Sequence, residues 1–207
     1  MIELKSKNHL LSHKEEYYEL FAVDPKDYGS ITIDEFVKEV SKIANSIHFF
    51  DNPDLDRDAR NTFKGDALEV FAEVFFGVYF ADPALEISNY TPIEKGEDYG
   101  VDGIGTNVND DQAVIQVKYR ENPMEMVEYP DVAKTVMAAN WKHKIDTSKK
   151  ASVYIFTTGK GVNFRVEEIS GDSMIVINRE VIADKVNHNL TFWKVLSETV
   201  YKALDES

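Results

Sequence analysis

Three side chains in one stretch have the types and spacing that phosphate chemistry wants. The stretch is "EDYGVDGIGTNVNDDQAVIQVKYR", residues 97–120, and the side chains are Asp102, Gln116 and Lys118. Side chains of an extended strand alternate between its faces. Within 113–120, Val114, Gln116, Lys118 and Arg120 therefore share one face, and Ala113, Ile115, Val117 and Tyr119 the other. "NVNDD", between two strand-like runs, is turn-prone. A hairpin turning near Asn109 pairs residues whose numbers sum to roughly 218. Asp102 then faces Gln116, and Lys118 follows one step along the same face.

Hydrolysis of a phosphodiester needs oxygen ligands for a divalent metal, an activated water, and positive charge near phosphorus. Asp102 can supply the hard anionic ligand. Gln116 can offer a carbonyl oxygen or orient a water. Lys118 can hydrogen-bond to the attacking water and stabilise developing charge. Plainer alternatives stand beside these roles: a solvated strand face for Gln116 and Lys118, and a turn residue for Asp102 between Gly100 and Gly103. A second carboxylate must come from elsewhere. The helix expected over 61–81 offers Glu69 and, one turn later, Glu73 on the same face. Glu73 is read as an ordinary helix residue, and Asp98, on the Asp102 face of an extended strand, as a reserve ligand.

Apolar spacing predicts helices over 8–22 and 33–50, joined by "DPKDYGS". The polar run "DNPDLDRDARN" (51–61) reads as a connecting segment, with a boundary near residue 60. The helix over 61–81 carries a wide stripe of Leu68, Phe71, Ala72, Phe75 and Phe76. Strand-like segments follow at 85–90, 99–105 and 113–120. A helix over 129–145 has Asp131 as its expected cap. "ASVYIFTT" (151–158) reads as a central strand buried on both faces. Residues 173–186 begin as a strand, and 191–204 form a closing amphipathic helix. The expected class is α/β: a mixed β-sheet flanked by helices, in residues 61–207, with a helical N-terminal extension in 1–60.

Composition narrows the classes further. Of 207 residues, 43% are hydrophobic, enough for a sizeable core. No run approaches the ~20 apolar residues of a membrane span, and "MIELKSKNHLL" lacks the apolar region of a signal peptide. Cysteine is absent, which excludes disulfides and thiolate chemistry. A cytoplasmic location is expected. The net charge of -14 argues against a nonspecific nucleic-acid coat, but charge is local. Residues 84–111 are strongly acidic, whereas "WKHKIDTSKK" (141–150) is basic. Lys142, Lys144 and Lys160 are the candidate DNA-contacting cations, against a plainer reading as a solvated helix end and a polar loop. His9, His13, His48, His143 and His188 show no metal-ligand spacing and are assigned to the surface. "DPKDYGSITIDEF" (24–36) mimics a calcium loop, but Lys26 and Tyr28 stand where oxygen ligands belong. It is read as a helix–turn–helix connection.

Four motifs in order resemble the PD-(D/E)xK nuclease superfamily, and within it the Mrr-like restriction-endonuclease domains. "KGDALEVFAEVFF" resembles the family's helix and aligns Glu69 with its glutamate. "YGVDG" resembles the GxD strand, giving Asp102, and "VIQVKYR" the QxK strand, giving Gln116 and Lys118. "ASVYIFTTGKGVNF" resembles a buried strand ending in a Thr-Thr turn. The resemblance covers about residues 61–186 and departs from the superfamily name in having Gln116 for the usual acid. It implies a restriction-endonuclease-like fold and a Mg2+- or Mn2+-dependent DNA nuclease. Asp102, Glu69 and Gln116 would hold the metal and Lys118 would position water. DNA is the implied partner, with a helicase (fused or separate) and a second copy of the chain as further candidates. The rival class is a noncatalytic interaction module on the same scaffold, or an acidic chain that mimics DNA. A calcium-responsive protein is the third.

Overall fold

The computed structural model describes residues 2–94 and 99–206. It contains a 3-10 helix Lys5–His13 and helices α1 (Lys14–Phe21), α2 (Ile33–Ser46), α3 (Pro53–Val78), α4 (Tyr129–Trp141), α5 (Phe164–Ser170), α6 (Arg179–Val186) and α7 (Leu190–Asp205). Its strands are β1 (Ile87–Pro92), β2 (Gly103–Asn107), β3 (Gln112–Lys118), β4 (Met126–Val127), β5 (Val153–Thr157), β6 (Gly161–Val162) and β7 (Met174–Ile177). Among the described residues no helix is long and apolar enough to cross a membrane. The chain forms two compact units: Met1–Val74 with Ile182–Ser207, and Phe75–Val181.

The first unit is helical. α2 starts at Thr32, whose hydroxyl accepts from the Glu35 N–H while the Glu35 carboxylate accepts from the Thr32 N–H. Its buried stripe is Ile33, Phe36, Val37, Val40, Ile43 and Ala44. α7 starts at Asn189, whose side chain accepts from the Phe192 N–H. Phe36 packs on Phe71 with ring centroids 4.9 Å apart, and Phe71 on Phe192 at 5.2 Å. Such ring pairs add about 0.5–1.5 kcal/mol each beyond the area they bury.

The run 51–61 is not a connecting segment. Asn52 caps α3 by accepting from the Asp54 and Leu55 N–H groups, and Pro53 takes the first helical position. Asp54 and Asp56 then sit in the first turn, where the helix dipole favours acids. These residues carry no apolar stripe because they are exposed or only half-buried.

The second unit is built on a five-stranded mixed sheet ordered β1-β2-β3-β5-β7. β1, β2 and β3 run antiparallel; β3, β5 and β7 run parallel, with α4 in the crossover from β3 to β5. Every residue of β5 is buried, as expected of a central strand covered on both faces. One face packs Val114, Val153 and Ile155 against Val132, Ala138 and Ala139 of α4. The other carries Phe156, which meets Phe75 and Phe76 at the end of α3. β6, which pairs with the earlier β4, and a short helix, α5, follow the Thr-Thr turn, where the plainer reading of the sequence was a polar loop.

Glu73 is the buried polar anchor of the helical unit. It is 5% exposed, and its two carboxylate oxygens accept from the N–H groups of Lys5 (2.7 Å) and Ser6 (2.9 Å). Those are orphan donors at the start of the 3-10 helix, so the carboxylate caps it. Glu73→Ala leaves them buried without an acceptor and should lower stability by about 2–4 kcal/mol. Urea denaturation should also show Glu73→Gln destabilised, because its NH2 would face one of the two N–H donors.

Candidate functional site

The hairpin has the register its sequence implies. Gly103 pairs with Ile115, Ile104 with Val114, Gly105 with Ala113 and Thr106 with Gln112. Asn107, 3% exposed, builds the turn. Its side-chain oxygen accepts from the Asn109 and Asp111 N–H groups, and its amide donates to the Lys150 and Ala151 carbonyls. One step past Gly103, the Asp102 N–H donates to the Ile115 carbonyl at 2.9 Å. Asp102 thus continues the ladder across from Gln116. Its Oδ2 accepts from the Val117 N–H at 2.6 Å, the next hydrogen-bonding slot of β3.

The glycines around Asp102 have separate reasons. Gly100 has φ +93°, a left-handed backbone, and lies against Lys134 of α4. At Gly103 a Cβ would come 2.3 Å from the Tyr90 ring. Asp102 is therefore fixed by backbone geometry on both sides rather than carried on a free turn.

Gln116 is not on a solvated face. It is 3% exposed, and its Oε1 accepts from the Thr135 hydroxyl of α4. The same hydroxyl lies 2.8 Å from the Gly100 carbonyl and 3.2 Å from the Asp131 carbonyl, so three acceptors compete for its one hydrogen. Lys118 is only partly covered, with its side chain 27% exposed, and its Nζ is 3.8 Å from Asp131 Oδ1. Asp131 is not the expected cap. Glu128 holds the N-cap position without a side-chain capping bond, and Asp131 sits inside the first turn. There it also meets Arg120, Nη2 to Oδ2 3.4 Å, while Arg120 Nε reaches Glu125 at 2.9 Å.

The Thr-Thr turn holds the lysine end of β3. Thr157 and Thr158 are fully buried. The Thr157 hydroxyl donates to the Lys118 carbonyl, and Thr158 Oγ1 accepts from the Arg120 N–H, each at 2.8 Å. The candidate DNA cations Lys142, Lys144 and Lys160 are all exposed. Lys142 Nζ lies over the exposed Tyr99 ring, 4.9 Å from its centroid. Lys149 is paired with Asp111 at 2.6 Å. A half-open cavity of about 610 Å3 between α4 and α5 is lined mainly by aliphatic side chains and includes none of Asp102, Gln116 or Lys118. Asp98 lies outside the described residues.

Glu69 belongs to the helical unit, on α3, and its neighbours there include a residue the sequence misassigned. His9 is not at the surface: it is 3% exposed, with Nδ1 3.3 Å from Glu69 Oε2. Asp66, also 3% exposed, is the third member of this group. Nearby, Tyr17 stacks on Phe63 and donates to its carbonyl. Burial first, then the charges of Asp66, Glu69 and Glu16, push the Tyr17 phenol above its ordinary range. His13 is half-buried, its ring edge on Phe49 at 4.8 Å. His48 and His188 are exposed, as expected.

The calcium-loop mimic has its end residues committed elsewhere. Asp24 binds its own neighbour Lys26 (2.8 Å), and Glu35 is the capping-box partner of Thr32. No family model matches this sequence, and neither does any curated protein.

Thr135→Val keeps the shape of the side chain and removes the hydroxyl hydrogen for which Gln116, Gly100 and Asp131 compete. It should lower stability by about 1–3 kcal/mol, read by chemical denaturation. An unchanged midpoint would mean that Gln116 holds its place without α4.

Proposed function

We propose that the chain is a metal-dependent DNA nuclease of PD-(D/E)xK type, acting through the Asp102–Gln116–Lys118 group. The observation that carries the reading is the hairpin register. It sets a carboxylate across from Gln116 and a partly open amine two residues further along β3. The ordered motifs of the sequence supply the rest.

The donor chemistry fits Mg2+ or Mn2+. Asp102 offers a carboxylate and Gln116 an amide oxygen with a second lone pair beyond the one Thr135 uses. Hard cations of this kind keep several waters and need few protein oxygens. When bound, such an ion supplies Lewis-acid polarisation of the phosphate. Asp102 is held in place by the Val117 N–H. Lys118 directs its ammonium group at the attacking water and the charge that builds on phosphate oxygen. Asp131, 3.8 Å away, keeps that amine on station. The two buried threonines fix the backbone that carries it. Lys142, Lys144 and Lys160 are the cations offered to the DNA backbone.

A second reading, a noncatalytic module on this scaffold, draws on two observations. The chain carries a net charge of -14, and the amide at 116 is tied to α4. Cleavage decides between them. Incubation with Mg2+ and plasmid, linear duplex or single-stranded DNA should give cut products. Asp102→Ala and Lys118→Ala should each slow cutting by at least about 100-fold. If no substrate is cut, or if Asp102→Ala cuts as fast as the parent, the nuclease reading fails.

A further inference from the structure

We propose that His9, Asp66 and Glu69 form a binding site for a divalent transition-metal ion of the Zn2+ or Mn2+ class, within the helical unit. This does not rest on the nuclease reading.

One ligand atom from each of the three residues lies within 4.8 Å of the others. Donors that share an ion at bonds of about 2.1 Å stand roughly 3–4 Å apart, so small rotamer changes close the set. Asp66 and Glu69 are three residues apart on α3 and share one helix face. His9 comes from the 3-10 helix and approaches Glu69 to 3.3 Å, close but not aligned as a hydrogen bond. Two elements thus contribute, and a third carboxylate fixes their relation. Glu73, one turn beyond Glu69, clamps Lys5 and Ser6. That clamp sets the start of the 3-10 helix against α3, which brings His9 alongside Glu69.

Charge and ligand type both point to a cation. Two carboxylates side by side, one of them 3% exposed, repel each other where water screens little. A doubly charged ion offsets that repulsion. An imidazole in the set favours Zn2+, Fe2+ or Ni2+ over Mg2+ and Ca2+, and the two carboxylates also admit Mn2+. The Glu69 side chain is 21% exposed, so the site has an open edge for ion entry and for completing coordination with water.

The test is calorimetric titration of the EDTA-stripped full chain with ZnCl2 and MnCl2, together with NMR of the Co2+-loaded protein. One ion should bind per chain, and Co2+ should produce a paramagnetically shifted imidazole N–H signal. His9→Gln, Asp66→Asn and Glu69→Gln should each weaken binding beyond the about 10- to 100-fold that loss of a mere outer-shell partner causes. His9→Gln should also abolish the shifted signal. Asp102→Ala should retain both, which separates this site from the nuclease reading: the assay contains no DNA and stands even if nothing is cut. Should His9→Gln fail to fold, Glu69→Gln at the open edge carries the test. Absence of binding, binding unchanged in Glu69→Gln, or a signal lost only in Asp102→Ala overturns the proposal. In that event the cluster is a His–carboxylate contact serving the fold.

Discussion

A strand buried on both faces can carry a polar side chain only where a partner waits for it. β3 is such a strand, with Ala113 through Val117 all buried. Gln116 sits in its middle, and an amide left alone there would lose roughly 1–3 kcal/mol. The partner is the Thr135 hydroxyl, which also lies within reach of the Gly100 carbonyl. This one contact ties α4 to the sheet and to the segment leading into Asp102. Asp102 in turn fills the Val117 N–H slot that β2 leaves open. The placement of Asp102, Gln116 and Lys118 is therefore a consequence of satisfying buried polar groups around β3.

The helical unit solves a related problem with charge. Asp66, Glu69 and Glu73 form a row on one face of α3, and like charges at such spacing destabilise a helix. Each meets a different environment. Glu73 spends its charge on two backbone N–H groups. Glu69 stands beside His9. Asp66 is buried next to both. A buried carboxylate without such neighbours would be costly to desolvate. The row therefore persists because the 3-10 helix lies along it, and the sequence between Lys5 and His9 has value beyond its weak helical spacing.

Much of the sheet was legible in the sequence. The hairpin register followed from strict two-residue alternation and a short turn-prone run, which leave little freedom in pairing. The central strand followed from its unbroken apolar character. What stayed hidden depends on distant partners. Glu73 looked like an ordinary helix residue because its acceptors' partners lie 68 and 67 positions away, and they are backbone groups that no residue type announces. His9 looked superficial for the same reason. Asp131 looked like a cap because an acid near a helix start usually is one; its real neighbours, Lys118 and Arg120, arrive through the crossover between β3 and α4. The start of α3 was legible and passed over: Asn52, Pro53 and two early acids are a helix-start pattern even without apolar periodicity.

A glutamate at position 116 would place an ionised group at 3% exposure, facing a hydroxyl for whose one hydrogen three acceptors compete. It would have to take up a proton or pair with a bound cation. Glutamine removes that demand. The amide holds α4 whether or not a metal is present, and still leaves a carbonyl lone pair. The anionic character of the group then rests on Asp102, and the sheet can fold and keep its register independently of any ion.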